Sequence, residues 1–265
     1  MNSVETSVNN IEIFVNDSRR LVALKAVHNF RDLGGYPTQS GQTTKWRTLY
    51  RADGLYRLTP EDARIVMSLG VHTVIDLRTH REVETRGTFP VEQHPVTFHH
   101  LPIIDISRSD TEVPEIEDVV EFLVSAYRDM LNIAAPRFAQ AIGVIATTDV
   151  LPAVFHCAAG KDRTGILAAL ILGTLGVPDD IICADYGLTE AAARRFVEWA
   201  KVHQPELAAL YTQIPARFAA ADPRAMSIIL TELHKKHGSI QRFVYEIGVS
   251  ESTASALCAS LLVPL

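Results

Sequence analysis

The chain has 265 residues, of which 47% are hydrophobic and 21% are charged, so it can bury a substantial core as a soluble globular protein. Its formal net charge of −6 argues against general binding to nucleic acids or anionic membranes. The three cysteines are too few and too scattered for a disulfide framework, and they fit a reducing compartment.

Residues 1–19 are polar, and we expect them to form a peripheral arm. They contain no basic segment followed by an apolar core, so the sequence shows no Sec-type signal peptide. No apolar run reaches the length of a membrane-spanning helix. We therefore expect a protein without a membrane span that is either cytoplasmic or exported without a visible signal peptide.

Strands and helices alternate through the first half of the chain. The predicted strands cover residues 21–30, 46–50, 71–77 and 99–104. The predicted helices begin at residues 60, 117 and 136. This alternation predicts an α/β fold with a central, mostly parallel sheet flanked by helices. Ligands of such sheets bind beyond the carboxyl ends of the strands, which places Arg78, Asp105 and Cys157 near one rim.

The segment Asn-Phe-Arg-Asp-Leu-Gly-Gly at residues 29–35 follows the first predicted strand. Asn29 and Asp32 are suited to bonding loop backbone, and Arg31 to pairing with an acid elsewhere. A hairpin turn is predicted just after this segment, near residues 40–41, with residues 46–50 as the partner strand of the hairpin. We interpret the segment as mainly structural.

The most informative stretch is residues 153–165, where a short buried strand, a loop of small residues and a buried helix follow one another. Backbone N–H groups in such a loop, together with the helix N-terminus, form a socket for a tetrahedral anion. Arg163 can hold two oxygens of that anion with its planar guanidinium. Cys157 lies at the base of the socket, where these dipoles and the cation favour the thiolate. A thiolate beneath a bound phosphate predicts phosphoryl transfer to sulfur, followed by hydrolysis.

Three motifs, in order, carry a family resemblance. Cys157 and Arg163 lie in the string His-Cys-Ala-Ala-Gly-Lys-Asp-Arg-Thr-Gly at residues 156–165. The motif at residues 29–35 lies upstream, and Val-Ile-Asp-Leu-Arg at residues 74–78 precedes Glu82. Together these motifs resemble the cysteine-dependent protein tyrosine phosphatases, in particular the atypical bacterial and fungal branch that has Lys-Asp inside the loop and is similar to lipid and dual-specificity phosphatases.

The resemblance implies a role for each residue of the loop. Cys157 is the nucleophile, Arg163 holds the phosphate, and Asp162 is the general acid that protonates the leaving group. Asp105, at a predicted strand end, is the alternative acid. The other expected substrate-binding positions are His156, Ala158, Ala159, Gly160, Lys161 and Thr164.

Three of these loop residues have alternative interpretations. Thr164 can place its hydroxyl on the cysteine sulfur, or it is simply a polar residue of the first helical turn. His156 is expected to orient the loop rather than transfer protons, or it is a core histidine satisfied by backbone groups. Lys161 either faces the substrate, as in phosphatases that also accept phosphoinositides, or is a solvated surface lysine. Cys183 and Cys258 are expected to be inert, and no histidine pattern predicts a metal site.

The chain continues well beyond the loop. Helices are predicted over residues 179–186, 189–203, 227–236, 239–247 and 250–262. In related bacterial enzymes an inserted helical region covers the active site, which implies a lid at residues 188–222, although their periodicity is also compatible with plain core helices. We expect residues 1–265 to form a single phosphatase domain.

The resemblance implies a phosphomonoester hydrolase that acts on phosphotyrosine, with specificity that can be broader. The alternatives are a phosphoinositide phosphatase and a catalytically inactive phosphate-binding module. A rhodanese-like sulfurtransferase is disfavoured by the Arg-Thr-Gly ending of the loop. The implied partners are phosphotyrosine proteins or peptides, or phosphoinositides under the alternative, with inorganic phosphate as product. No cofactor, metal or nucleic acid is expected.

Overall fold

A five-stranded sheet lies at the centre of the part of the chain that the computed structural model describes, namely residues 11–104, 116–213 and 219–265. In chain order the strands are β1 (Arg31–Asp32), β2 (Gln42–Thr44), β3 (Leu49–Ala52), β4 (Thr73–Asp76), β5 (Thr97–His100), β6 (Ala153–His156) and β7 (Leu262–Pro264). The order in the central sheet is β1-β3-β6-β4-β5, in which β1 is antiparallel to β3 and the other pairs are parallel. The predicted mostly parallel sheet is confirmed. β2 and β7 form a separate antiparallel pair.

Helices flank the sheet, as predicted. In chain order they are α1 (Pro60–Ser68), α2 (His80–Arg86), α3 (Val119–Ile145), α4 (Asp162–Thr174), α5 (Asp179–His203), α6 (Pro205–Gln213), α7 (Pro223–His237), α8 (Ile240–Glu246) and α9 (Glu251–Leu261). Thr59 and Thr79 begin α1 and α2 with capping boxes, since each hydroxyl accepts from a backbone N–H that the helix leaves unsatisfied.

The middle strand β6 and the helix α4 lie in the interior of the molecule. All four residues of β6 are buried, and successive side chains enter different apolar clusters because a strand alternates its faces. Val154 packs with Phe30 and Val74, whereas Phe155 packs in the cluster that contains most of α3 and α4. The loop between β6 and α4 is therefore supported from both sides of the sheet.

The predicted strand over residues 21–30 is wrong, because β1 contains only Arg31–Asp32 and the earlier residues contribute one isolated bridge at Leu21. Two carboxylates, those of Asp53 and Asp62, take the hydrogen bonds that a neighbouring strand would otherwise receive. Their donors are the backbone N–H groups of Lys25, Ala26, His28 and Asn29. Side chains rather than a neighbouring strand therefore accept these four hydrogen bonds from residues 25–29.

The predicted hairpin partner at residues 46–50 is also wrong. β3 begins only at Leu49 and lies in the central sheet, while β2 pairs with the C-terminal β7. Arg47 has a φ of 56°, a left-handed conformation that interrupts an extended strand. The backbone therefore turns between β2 and β3 instead of continuing as one arm of a hairpin.

Two predicted helix breaks are absent from the described structure. α3 continues through Pro136, and α5 continues through Gly187. A proline costs α3 one backbone hydrogen bond, but the helix buries an apolar face on both sides of it, including Tyr127 and Phe138. At Gly187 a Cβ would lie 2.9 Å from the Pro223 ring, so the glycine permits close packing of α7 rather than ending α5.

Within the described ranges, no helix combines the length and the apolar character that crossing a bilayer requires.

Candidate active site

The loop of residues 157–161 joins the central strand β6 to the N-terminus of α4. Cys157 is the first residue after the strand and is only 3% exposed. Gly160 adopts a φ of +65°, and a Cβ there would lie 2.5 Å from the Ala52 carbonyl oxygen. Glycine is therefore required for the loop to turn this tightly against β3.

Two side chains from outside the loop hold its carbonyl groups. The Asn29 amide donates to the carbonyl oxygens of Ala159 (3.1 Å) and Gly160 (3.0 Å). Arg51 Nη2 donates to the same Gly160 oxygen at 2.8 Å. The predicted role of Asn29 in bonding loop backbone is confirmed, and these bonds fix the orientation of the loop peptides.

The backbone N–H groups of several residues at this loop are not used within the part of the chain that the structure describes. Among the described residues, nothing accepts a hydrogen bond from the N–H of Ala158, Ala159, Gly160 or Asp162. The N-terminus of α4 adds its partial positive charge at the same place. A set of N–H donors beside a helix N-terminus suits a tetrahedral anion, which is the chemistry expected of a phosphate socket.

Arg163 forms a bidentate ion pair with Glu82. Its Nη1 and Nη2 donate to Glu82 Oε2 (2.6 Å) and Oε1 (2.9 Å), and the two side chains are 3% and 17% exposed. Glu82 also accepts from the Thr79 N–H at the start of α2. Burial by itself would raise the pKa of Glu82, but the hydrogen bonds and charge of Arg163 lower that pKa to about 2. The pair is charged at neutral pH and fixes the plane of the guanidinium.

Asp162, the first residue of α4, is held by one of its two carboxylate oxygens. The Tyr127 hydroxyl donates to Asp162 Oδ1 at 2.7 Å, and Lys161 Nζ lies 3.4 Å from the same oxygen. The hydroxyls of Tyr127 and Tyr186 are 2.6 Å apart. The Asp162 side chain retains 18% exposure, so it is anchored from the interior while remaining accessible.

His156 lies beneath the loop and is completely buried. Its Nδ1 is 3.2 Å from the Cys157 carbonyl oxygen, and its Nε2 is 3.6 Å from Asp76 Oδ2. Burial lowers the pKa of His156, so the ring is neutral near neutral pH. Arg78, which was expected near the rim, is also fully buried and donates to Asp76. His156 therefore contacts the loop from below, and Arg78 holds the Asp76 carboxylate that lies next to His156.

A second buried ionic cluster connects the sheet to α5. Arg31 Nε and Arg51 Nη1 donate to the Asp185 carboxylate at 2.9 and 2.7 Å, and the Tyr36 hydroxyl donates at 2.8 Å. Burial would raise the pKa of Asp185, but the two guanidinium groups hold it well below its usual value. Arg51 also donates to the Gly160 carbonyl, so this cluster supports the loop. The predicted pairing of Arg31 with a distant acid is confirmed.

A cavity of about 510 Å³ opens beside the loop. Ala158, Ala159 and Lys161 line it on the loop side, and residues of α5 and α6 line it on the other side. Most of the latter are apolar, and the rings of Phe196 and Tyr211 meet there edge to face at 4.9 Å. The space next to the anion socket is therefore suited to a flat apolar group.

Each cation that lines this cavity has an acidic side chain nearby. Arg57 donates to Asp53, and Arg194 lies 3.5 Å from Glu190. Lys161 lies near Asp162, as described above, and is only 6% exposed. The alternative interpretation of Lys161 as a solvated surface residue is therefore wrong.

Three other predicted residues are placed as follows. Asp105 lies outside the described residues. Thr164 Oγ1 is buried and has no hydrogen-bond partner among the described residues, so its contact with the cysteine sulfur stays a prediction. Burial raises the pKa of Cys183 to about 12, and its thiol is therefore protonated at neutral pH. In the described ranges no cluster of three or more histidine, cysteine or acidic side chains could hold a metal ion.

Sequence reasoning missed several residues that hold the site together. In the sequence Glu82 only follows the motif at residues 74–78, and nothing there indicates that it is a partner for Arg163. Tyr127 lies among the buried residues of α3, and nothing in the sequence indicates that its hydroxyl reaches Asp162. Asp185 lies in a predicted helix with no local feature that distinguishes it from a surface acid.

The fold and the loop define a phosphatase, and comparison with known proteins gives the family. Residues 22–263 match the model of the tyrosine phosphatase family. The chain therefore belongs to this family, and the resemblance stated from its motifs is confirmed.

Two relatives illustrate the relationship. The chain is 29% identical to a tyrosine-protein phosphatase of Nostoc commune over 218 residues, which cover 78% of this chain and 71% of the relative. It is 25% identical to the triple specificity protein phosphatase PtpB of Mycobacterium tuberculosis over 277 residues, which cover 90% and 98% of the two chains. Among solved structures, the catalytic core of Siw14 matches with a TM-score of 0.35 and 14% identity, covering 80% of this chain and 95% of that one. That score is too low to bear on the fold.

Proposed function

We propose that this protein hydrolyses phosphotyrosine in proteins or peptides through a phosphocysteine intermediate. Cys157 Sγ attacks phosphorus, and the bond to the phenolic oxygen breaks as Asp162 donates a proton to that oxygen. Water then attacks phosphorus, Asp162 accepts its proton, and the thiolate and inorganic phosphate are released. The reaction requires no cofactor, and the acting residues all come from one loop and one helix start.

The phosphate is held by backbone and by Arg163. The loop N–H groups that have no partner among the described residues are assigned to the equatorial oxygens, where charge accumulates during transfer. The pair with Glu82 uses one N–H of each terminal nitrogen of Arg163, and a guanidinium carries five N–H groups. Glu82 thus orients the guanidinium without using all of its donors.

The assignment of phosphotyrosine as the substrate rests on the cavity beside the loop. It is lined mainly by apolar side chains, with the Phe196 and Tyr211 rings opposite Ala158 and Ala159. A phenyl ring on a phosphate bound at the loop gains apolar contact there, whereas a short serine or threonine phosphate does not reach as far. The cavity therefore favours aryl phosphates.

The phosphoinositide alternative is less well supported by the charges around the cavity. A polyphosphorylated inositol needs cations that are available for its additional phosphates. Here Arg57 pairs with Asp53, Arg194 lies near Glu190, and Lys161 lies near Asp162. An additional phosphate would have to compete with an acid at each of these cations. The inactive-module alternative is disfavoured because a cysteine, a socket and a candidate acid occur together.

We further propose that residues 1–265 act as one phosphatase domain in which residues 188–222 cover the site. The small apolar cluster of Phe196, Ala200 and Ala208 is separate from the main core, as expected of a region that can open. Slower amide exchange in α6 on binding vanadate, with β6 unchanged, is the expected result. Unchanged amide exchange in α6 would indicate that the region is ordinary scaffold.

The need for a reduced Cys157 favours a reducing compartment such as the cytoplasm.

Substrate preference is tested by measuring kcat/KM for phosphotyrosine, phosphoserine and phosphothreonine peptides and for phosphoinositide vesicles. We expect the phosphotyrosine peptide to be preferred by at least about tenfold, which corresponds to roughly 1.4 kcal/mol of transition-state stabilisation. Phe196→Ala should reduce this preference. Phe243→Ala is a matched control, because Phe243 is as buried as Phe196 but does not line the cavity. A preference for phosphoinositides would contradict the assignment, and absence of any turnover would favour the inactive module.

The general acid is tested with aryl phosphates that differ in leaving-group ability. Asp162→Asn should hardly change the rate of hydrolysis of aryl phosphates with good leaving groups. It should slow the hydrolysis of those with poor leaving groups on the order of 10²–10⁴-fold. Asp105→Asn should show no such dependence. If only the Asp105 variant shows it, the acid lies on a separate loop and the role given to Asp162 is wrong.

A further inference from the structure

Two buried tyrosines form a hydrogen-bonded chain that ends on Asp162. The hydroxyl oxygens of Tyr186 in α5 and Tyr127 in α3 are 2.6 Å apart. The Tyr127 hydroxyl oxygen is 2.7 Å from Asp162 Oδ1 at the start of α4. Tyr127 and Tyr186 are 0% and 1% exposed. Three separate helices thus meet at one carboxylate, although apolar packing alone would be satisfied by phenylalanine at both tyrosine positions.

Both hydroxyl groups of this hydrogen-bonded chain of side chains donate toward Asp162. Burial raises the pKa of both phenols well above the ordinary value, so both hydroxyls keep their protons across the working pH range. An ionised carboxylate only accepts, so the single proton of Tyr127 is donated to Asp162. Tyr186 must then donate to the Tyr127 oxygen. This second bond polarises the first and strengthens it.

The two oxygens of Asp162 are therefore unequal. Oδ1 accepts from Tyr127 and lies 3.4 Å from Lys161 Nζ. Among the described residues, Oδ2 accepts no hydrogen bond. A proton added to the carboxyl group is disfavoured on Oδ1, where it would displace the Tyr127 donor, and is favoured on Oδ2.

We infer that Tyr127, supported by Tyr186, is a positioning residue that makes Oδ2 the oxygen through which Asp162 transfers protons. This inference rests on the proposed role of Asp162 as general acid. In the first step the O–H bond at Oδ2 breaks and its proton moves to the leaving oxygen, while the sulfur–phosphorus bond forms and the phosphorus–oxygen bond breaks. In the second step Oδ2 accepts a proton from the attacking water as the sulfur–phosphorus bond breaks.

Among the described residues, few other charged groups act on the hydrogen-bonded side chains of Tyr186, Tyr127 and Asp162. Lys161 lies beside Asp162, while Arg51 and Asp222 act on Tyr186 from the sheet and from the start of α7. None of these three is changed in the variants below. A change in the pH profile can therefore be assigned to the tyrosine hydroxyls.

The test compares Tyr127→Phe with the wild type on aryl phosphates with good and poor leaving groups across a pH range. Because one hydrogen bond to a charged group is lost, hydrolysis of substrates with poor leaving groups should slow about tenfold. Hydrolysis of substrates with good leaving groups should hardly change. The alkaline limb of the pH–rate profile should move to higher pH, because the carboxylate loses a donor. Tyr245→Phe removes a hydroxyl from a partly buried tyrosine on α8, which packs against Gly173 near the C-terminal end of α4, and should change neither quantity.

Further variants separate the inference from the proposed function. Asp162→Asn together with Tyr127→Phe should be no slower on poor leaving groups than Asp162→Asn alone, because both act through the same proton. If Tyr127→Phe does not fold, Tyr186→Phe should give a smaller loss of the same kind, about threefold. If the tyrosine variants slow hydrolysis of all the aryl phosphates equally and the alkaline limb of the pH–rate profile does not move, the tyrosines only pack the interior. That result would overturn the inference. If Asp162→Asn itself shows no leaving-group dependence, the acid assignment fails first and the inference fails with it.

Discussion

Arg163 and Glu82 meet through two parallel hydrogen bonds, and the same glutamate closes the capping box of α2. The start of α2 and the start of α4 are thereby joined through one carboxylate. Because a bidentate pair fixes the plane of a guanidinium as well as its position, the orientation of Arg163 is set before any ligand binds. Preorganisation of this kind reduces the free energy lost when a phosphate is captured.

The first prediction concerns the effect of this pair on activity. Glu82→Gln keeps the shape of the side chain but removes the charge that holds Arg163, so kcat/KM should fall by about 10- to 100-fold. Glu84→Gln on the same helix is a matched control, since Glu84 is exposed and should be nearly neutral. Steady-state kinetics of the two variants is the measurement. Equal activities would show that Arg163 is oriented by other contacts.

The second prediction concerns stability against pH. The pKa of Glu82 is lowered from 4.5 to about 2 in the folded protein, so its stabilisation is fully present above the unfolded value and is lost as pH falls through about 2. The difference in unfolding free energy between wild type and Glu82→Gln should be constant near neutral pH, on the order of 2–3 kcal/mol, and should shrink in acid. Urea unfolding at several pH values measures it. A difference that does not depend on pH would contradict the shift.

The third prediction concerns the nucleophile. Cys157→Ser should abolish turnover while phosphate affinity is retained, because the loop N–H groups and Arg163 are unchanged. Arg163→Lys should also be severe, since a point charge cannot reproduce two directed hydrogen bonds. Kinetics and calorimetric titration with phosphate separate the two effects. Near-normal turnover by a folded Cys157→Ser variant would refute the mechanism.

The fourth prediction concerns the shape of the loop. Gly160→Ala places a Cβ against the Ala52 carbonyl and forces a residue with a side chain into a positive φ, so both stability and activity should fall. Gly41→Ala isolates the conformational part, because Gly41 also has a positive φ but a Cβ there meets nothing within 4 Å. We expect a cost of about 1 kcal/mol at Gly41 with activity intact, and a larger cost at Gly160. Equal costs would mean that the close approach to Ala52 relaxes.

The fifth prediction concerns the buried ionic cluster. Asp185→Asn leaves Arg31 and Arg51 without their carboxylate in the interior and should destabilise the fold by about 3–5 kcal/mol. Glu232→Gln breaks the exposed pair with Arg128 and should cost no more than about 1 kcal/mol. Thermal or urea unfolding compares the two variants. A small effect at Asp185 would show that the arginines find other partners.

The sequence by itself determined the features that depend on neighbouring residues. The loop between β6 and α4 was evident from a buried strand, small residues and a buried helix in succession. The start of α1 followed from Thr59 and Pro60, and the mostly parallel sheet followed from the alternation of strands and helices. These inferences succeeded because capping, turn formation and burial of a continuous apolar run are local physical effects.

Only the tertiary structure decided which distant residues serve the loop. Glu82 and Tyr127 lie far from residues 157–163 in the chain, and no local pattern predicts that their polar atoms meet Arg163 and Asp162. The missed strand boundaries have the same origin, because the carboxylates of Asp53 and Asp62 replace a neighbouring strand as hydrogen-bond partners. Buried polar groups must be satisfied wherever a partner can be brought to them, and the packing of the whole chain determines where that is.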